Sequence, residues 1–152
     1  MVARMLHQLT SPDPVQQYAL LRAARTHLEL GGPARMRYTL PALAFCGLRA
    51  LRGVAQSVNG SAGAEAEGGA ASTPVTAEAL LQWLLQVCLA LAEVPAPLQA
   101  LRLLLACGHV ASEEAGLEML AYEFFEQVRQ CWQPCHCYRP LGGTRCVTNH
   151  AM

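Results

Sequence analysis

Lysine and isoleucine are absent from this 152-residue chain, and aspartate occurs once, at Asp13. Charged residues make up only 14% of it and aromatic residues 6%. All the positive charge is arginine, and it balances the acids to a formal net charge of zero. A neutral chain lacks the surplus of cation that sequence-independent nucleic-acid binding requires. Lysine and isoleucine use AT-rich codons, whereas the abundant alanine and arginine use GC-rich ones, so these gaps reflect base composition rather than chemistry. With one aspartate, set between Pro12 and Pro14, a carboxylate dyad using it has little support; helix capping explains it better. No nucleophile motif, phosphate-binding loop or HExxH pair is present. His7, His27 and His109 have no histidine four residues away and read as structural or surface residues. We therefore expect no enzyme, no cofactor and no small-molecule substrate.

Long apolar runs are missing too. The most apolar stretch, Leu80 to Ala92, is broken by Gln82 and Gln86. It falls short of the roughly 20 residues that span a bilayer. Residues 1–8 hold no continuous apolar segment of a secretory signal. Arg4, Arg22 and Arg25 lie in an acid-poor stretch, as in organelle presequences, but that stretch has the pattern of ordinary helix. Cys46, Cys88 and Cys107 lie singly within apolar helical patterns and read as reduced core residues. The expected compartment is the cytosol.

What remains is rich in core-forming residues, 53% of the chain. Val2, Met5, Leu6 and Leu9 share one helical face. Asp13 as N-cap and Pro14 at the first position start a helix to Leu30, with Val15, Tyr18, Leu21, Ala24 and Leu28 inward. Gly31-Gly32-Pro33 ends it, and a short turn through Arg35 and Met36 follows. Thr39-Leu40-Pro41 reads as the next cap and early-helix proline, opening a helix whose stripe is Leu43, Phe45, Leu48, Leu51 and Val54. Residues 56–74, built mainly of Gly, Ala, Ser and Glu, read as a flexible insertion.

Helix resumes at Val75 or Thr76 and runs to Glu93, with Leu80, Trp83, Leu84, Val87 and Leu91 on one face. After Pro95 and Pro97 come Leu98, Leu101, Leu104, Leu105 and Cys107, in a helix ending near Gly108. Ser112-Glu113-Glu114 reads as a capped start, followed by a stripe of Leu117, Leu120, Ala121, Phe124 and Phe125. Nothing alternates with period two, so the class is all-α. With the insertion removed, helix starts near Pro14, Pro41, Val75, Pro97 and Glu113 form antiparallel pairs. Their period of roughly 40 residues is that of HEAT-like repeats. A compact helical bundle fits nearly as well.

Cys131, Cys135, Cys137 and Cys146, with His136 and His150, bring zinc-type ligands into the last residues. Only Cys131 and Cys135 have knuckle spacing, and no second pair exists, so we expect no metal site. Residues 128–152 read as an unrelated, disordered cysteine-rich tail, interrupted by Pro134, Pro140 and Gly142-Gly143. Around the first hairpin lie Arg22, Arg25, Arg35 and Arg37, with Tyr18 and Tyr38 nearby. Arginine and tyrosine combine contact area with hydrogen bonding and favour protein interfaces.

Some strings are more specific. Ser11-Pro12-Asp13-Pro14-Val15-Gln16-Gln17-Tyr18 is followed by Ala24-Arg25-Thr26-His27 and Gly31-Gly32, then by Arg35-Met36-Arg37-Tyr38-Thr39-Leu40-Pro41-Ala42-Leu43-Ala44-Phe45. Later come Leu101-Arg102-Leu103-Leu104-Leu105 and Ala121-Tyr122-Glu123-Phe124-Phe125-Glu126-Gln127. In this order they resemble the C-terminal half of the large solenoid subunit of retromer, the vacuolar protein sorting-associated protein 35 family. The resemblance covers residues up to Gln127 apart from the insertion.

It implies a non-enzymatic, HEAT-like α-solenoid fragment that serves as a scaffold in retrograde transport of membrane proteins from endosome to Golgi. The implied partners are other retromer subunits, above all the metallophosphoesterase-like one. Sorting cargo would be met indirectly and the endosomal membrane peripherally, with no nucleic acid. The family's PRLYL-type motif and its distal C-terminal helices are missing, so the chain reads as a fragment of such a protein. Arg22, Arg25, Arg35, Arg37 and Tyr38 are the candidate partner contacts. The alternatives are a helical-repeat adaptor unrelated to retromer and a small zinc-binding protein dependent on the tail.

Overall fold

Asp13 caps a helix, as its place between two prolines implies. Its carboxylate accepts the Val15 N–H at 3.0 Å, and Pro14 occupies the first turn, where a missing N–H costs nothing. The computed structural model describes residues 2–60, 75–94, 96–113 and 116–136. Among these run α1 (Val2–Leu6), α2 (Pro14–Glu29), α3 (Pro33–Gly60), α4 (Ala77–Ala92), α5 (Pro97–Glu113) and α6 (Glu118–His136), with no strand. Thr76 caps α4 by accepting the Ala79 N–H at 3.2 Å. Asp13→Ala should lower stability by about 0.5–2 kcal/mol in thermal unfolding, whereas Asp13→Asn should retain most of it.

Entry into α2 is fixed by a buried amide. Gln17 accepts the Ser11 N–H at 2.6 Å and donates to the Leu9 carbonyl at 3.0 Å, tying the α1–α2 link to the helix. A buried polar group is tolerated here because both ends of the amide are paired.

The helices alternate between two layers. α1, α3 and α5 form one, α2, α4 and α6 the other, and each helix from α2 onward packs on its chain neighbour across the layers. Leu21, Leu40, Leu43, Leu84, Leu104 and Phe124 are fully buried between them. The five α4 positions expected inward are all buried, joined by Leu81 and Cys88, because α4 meets α3, α5 and α6. This is an all-α stack of antiparallel pairs, as the sequence led us to expect.

Several boundaries differ from the sequence reading. Pro41 lies inside α3, which begins eight residues earlier at Pro33. Gly32, at φ 76°, makes the tight turn from α2, and the Thr39 hydroxyl donates to the Arg35 carbonyl within the helix rather than capping a new one. Helix α5 continues past Gly108 to Glu113, so Ser112 is no cap; the chain turns at Gly116, φ 62°, and Leu117 N–H reaches back to the Ala111 carbonyl. Helix α3 extends through Gly60, so the segment read as an insertion from residue 56 begins within a helix; residues 61–74 lie outside those described. Helix α6 extends to His136, and Val128 and Cys131 pack against the core, so the boundary drawn after Gln127 falls inside a helix. Residues 137–152 lie outside the described ones, as does most of the cysteine-rich tail.

Facing also differs. Phe45 and Phe125, read as part of their helices' apolar stripes, are exposed, and so are Val2, Met5, Leu98 and Leu105 of the apolar helical patterns. Each sits beside the buried arc of its helix, where a Leu-rich pattern carries more apolar positions than the arc can hold.

Candidate partner-binding surface

The α2–α3 hairpin presents its five candidates in two groups. Arg22 and Arg25 project from α2 into a groove of about 1000 Å³, whose other wall is α4 with Gln82, Trp83 and Gln86 and whose far edge holds Glu123 of α6. Arg22 lies over the Tyr18 ring, 5.8 Å from its centroid. Tyr18 in turn stands edge-on to Trp83, with centroids 6.5 Å apart. Arg25 is neutralised by Glu29 one helical turn on, at 2.6 Å, which leaves Arg22 as the more available cation.

Arg35, Arg37 and Tyr38 lie in the opposite layer, on the first turns of α3, and all three are exposed. Arg37 covers the Tyr38 ring at 4.7 Å and lines a small pocket with Ala96, Pro97 and Leu98 at the start of α5. Guanidinium over an aromatic ring keeps both side chains extended and ready for a partner at little ordering cost. The structure thus brings Arg22 and Arg25 together, and Arg37 with Tyr38, but builds no single patch of all five.

Sequence reasoning missed the α4 wall. Gln82 and Gln86 were read only as interruptions of an apolar run, yet their i, i+4 spacing places both on one face, where they line the groove. Trp83 was read as core, and it is 7% exposed, but it also floors the groove, and its buried indole N–H meets no acceptor among the described residues.

The buried thiols are poor nucleophiles. A hydrogen bond to Cys107, together with burial, pushes the Cys88 thiol far above the ordinary cysteine range. Burial also raises Cys46, against a smaller opposing effect from Arg49. Among the described residues no three His, Cys, Asp or Glu side chains gather as metal ligands. No helix among them is long and apolar enough to cross a membrane.

Stacked antiparallel pairs with arginine and tyrosine dispersed over two broad faces define a segment of α-solenoid. The chain belongs to the vacuolar protein sorting-associated protein 35 family, whose family model matches residues 1–136. The match passes Gln127, where the family pattern had been expected to stop, and agrees with the continuation of α6. Vacuolar protein sorting-associated protein 35B of Arabidopsis thaliana is 37% identical over 128 residues, 83% of this chain and 15% of that protein. Its counterpart 35A is 34% identical over 126 residues, again 83% of the chain and 15% of the relative. The Dictyostelium discoideum protein is 41% identical over 58 residues, 38% of this chain and 7% of its own length. The chain thus spans a small part of the relatives it matches, and the reading of an adaptor unrelated to this family falls away.

Proposed function

We propose that the chain acts as a non-enzymatic scaffold segment of retromer, in retrograde transport of membrane proteins from endosome to Golgi. In this reading it works in the cytosol and reaches endosomal membranes peripherally, through the other subunits, and it meets cargo indirectly. Its direct partner is the metallophosphoesterase-like subunit, contacted by the α2–α3 hairpin through Arg22, Arg25, Arg35, Arg37 and Tyr38. The observation that carries the reading is the family match along residues 1–136, coinciding with the helices of the stack. Dispersed exposed side chains, rather than one enclosed pocket, suit a solenoid that binds proteins along its length.

Calorimetry of the full chain with the metallophosphoesterase-like subunit of the same organism tests it. Binding in the micromolar range is expected, with Tyr38→Ala and Arg22→Glu each weakening it about tenfold or more. Loss at Tyr38 alone would assign the contact to the α3 face, and loss at Arg22 alone to the α2–α4 groove. A folded chain that fails to bind at about 100 µM, while a longer family member binds, would place the contacts elsewhere.

A further inference from the structure

Serine or threonine stands directly before proline at two places in the chain, Ser11-Pro12 and Thr73-Pro74. Thr73 lies outside the described residues, whereas Ser11 lies in the link between α1 and α2, where no helix holds the backbone. A following proline keeps Ser11 out of the helical region and biases it to extended backbone. A protein kinase takes its substrate strand in that extended form. Proline-directed kinases accept proline at the next position, where its missing N–H leaves no donor unpaired. Ser11 is half-buried between exposed Thr10 and Pro12. Its hydroxyl accepts the Asp13 N–H at 3.3 Å and donates to the Gln16 side-chain oxygen at 3.2 Å, the second bond lying at the surface.

The link borders a cavity of about 310 Å³ against α3. Thr10, Ser11 and Gln17 line one side of it, and Arg49 and Gly53 of α3 line the other. Nothing lies within 4 Å of the place a Cβ would take at Gly53, so the wall one turn on from Arg49 is open. Arg49 donates to the His7 carbonyl at 3.2 Å, which holds its guanidinium beside the link. A guanidinium carries more N–H donors than that one bond uses, and their fork suits phosphate oxygens. Neither α1 nor α3 contains an acid to compete for them. The Asp13 carboxylate, close to Ser11 in sequence, is held by the Val15 N–H.

We infer that Ser11 is a phosphorylation site for a proline-directed kinase and that Arg49 receives the phosphate. The Ser11 hydroxyl oxygen attacks the γ-phosphorus of ATP. A new P–O bond forms as the bond to the β-phosphate oxygen breaks, ADP leaves, and the hydroxyl proton passes to the kinase's general base. The link then carries close to two negative charges. It loses the donation to Gln16 and gains charge-assisted bonds to α3, so the entry to α2 is tied to α3 rather than to its own first turn. The inference stands apart from the retromer reading, because neither Ser11 nor Arg49 is among the contacts proposed for the metallophosphoesterase-like subunit.

Incubation of the full chain with ATP and a proline-directed kinase tests it, with the modified residues located by fragmentation mass spectrometry. Ser11 should be phosphorylated in the folded chain, and Ser11→Ala should remove that site while leaving any modification of Thr73. In phosphorus NMR the phosphoserine should titrate at about 5–5.5, below the value of about 6 expected for a phosphopeptide of residues 7–17. Arg49→Gln should return it toward about 6, and Arg49→Lys should keep part of the lowering. Arg49 is exposed, and unchanged circular dichroism would establish that both variants fold; should Arg49→Gln unfold, Arg49→Lys carries the comparison. Ser11 left unmodified in the full chain, while the kinase consumes its standard substrate, would overturn the proposal. So would a phosphoserine that titrates alike in wild type, in the folded Arg49 variants and in the phosphopeptide.

Discussion

Truncating Phe124 to alanine should lower stability by about 3–5 kcal/mol, read as a shift in the denaturant midpoint. Phe124 is fully buried, and it is the largest such side chain among the described residues. It anchors α6 against α5 beside Gly108, where helix approach is close enough that an added Cβ would lie 3.2 Å from the Phe124 Cβ. Removing the six ring carbons leaves a cavity that neighbouring helices cannot fill without breaking their own packing. In a stack of pairs each helix is held mainly by its neighbours, so α6 should detach first and unfolding should broaden. Phe125, the adjacent ring, is 43% exposed, and Phe125→Ala should cost about 1 kcal/mol. Equal losses at the two positions would contradict the facing of α6.

That pair of phenylalanines shows how far the sequence could be read. A 3.6-residue period identified every long helix and excluded strands, because period is a property of the whole segment. Facing is a finer matter. Helix α4 was read correctly at Leu80, Trp83, Leu84, Val87 and Leu91, since its glutamines mark the outer side. Helix α5 has five leucines between positions 98 and 105, and nothing in that run distinguishes buried Leu103 from exposed Leu105. Starts were ambiguous for a similar reason: Pro33 and Pro41 both suit a first turn, and the choice falls to Gly32, whose positive φ makes the turn before Pro33.

The candidate surface was partly legible. The string Asp13-Pro14-Val15-Gln16-Gln17-Tyr18 carried the family resemblance, and the structure gives it physical content: Asp13 caps, Gln17 ties the entry link, and Tyr18 reaches Trp83. The arginines were visible as a cluster in sequence, but their separation onto two layers depends on the helix turn at Gly31-Gly32, which sends α3 back along α2. The α4 wall of the groove lies some 60 residues from Arg22, and no local pattern could join them.

Gly47→Val should destabilise the chain by about 2–3 kcal/mol, although glycine within a helix is ordinarily a weakness. The reason is the approach of α3 to α4. A Cβ at Gly47 would stand 2.7 Å from Trp83 Cζ3 and 2.8 Å from Leu84 Cδ2, both inside contact distance. Neither neighbour can yield easily: Trp83 is rigid and almost wholly buried, and Leu84 has no exposed surface. Overpacking of this kind forces side chains off their rotamers or spreads the helices, and it outweighs the gain in helix propensity. Gly53, six residues further along the same helix, is the internal control. Nothing lies within 4 Å of a Cβ there, so Gly53→Ala should stabilise by about 0.5–1 kcal/mol through reduced backbone freedom in the unfolded chain. Thermal and chemical unfolding of the two variants should therefore move in opposite directions. If both gain stability, α3 and α4 stand further apart than the packing of Trp83 and Leu84 requires.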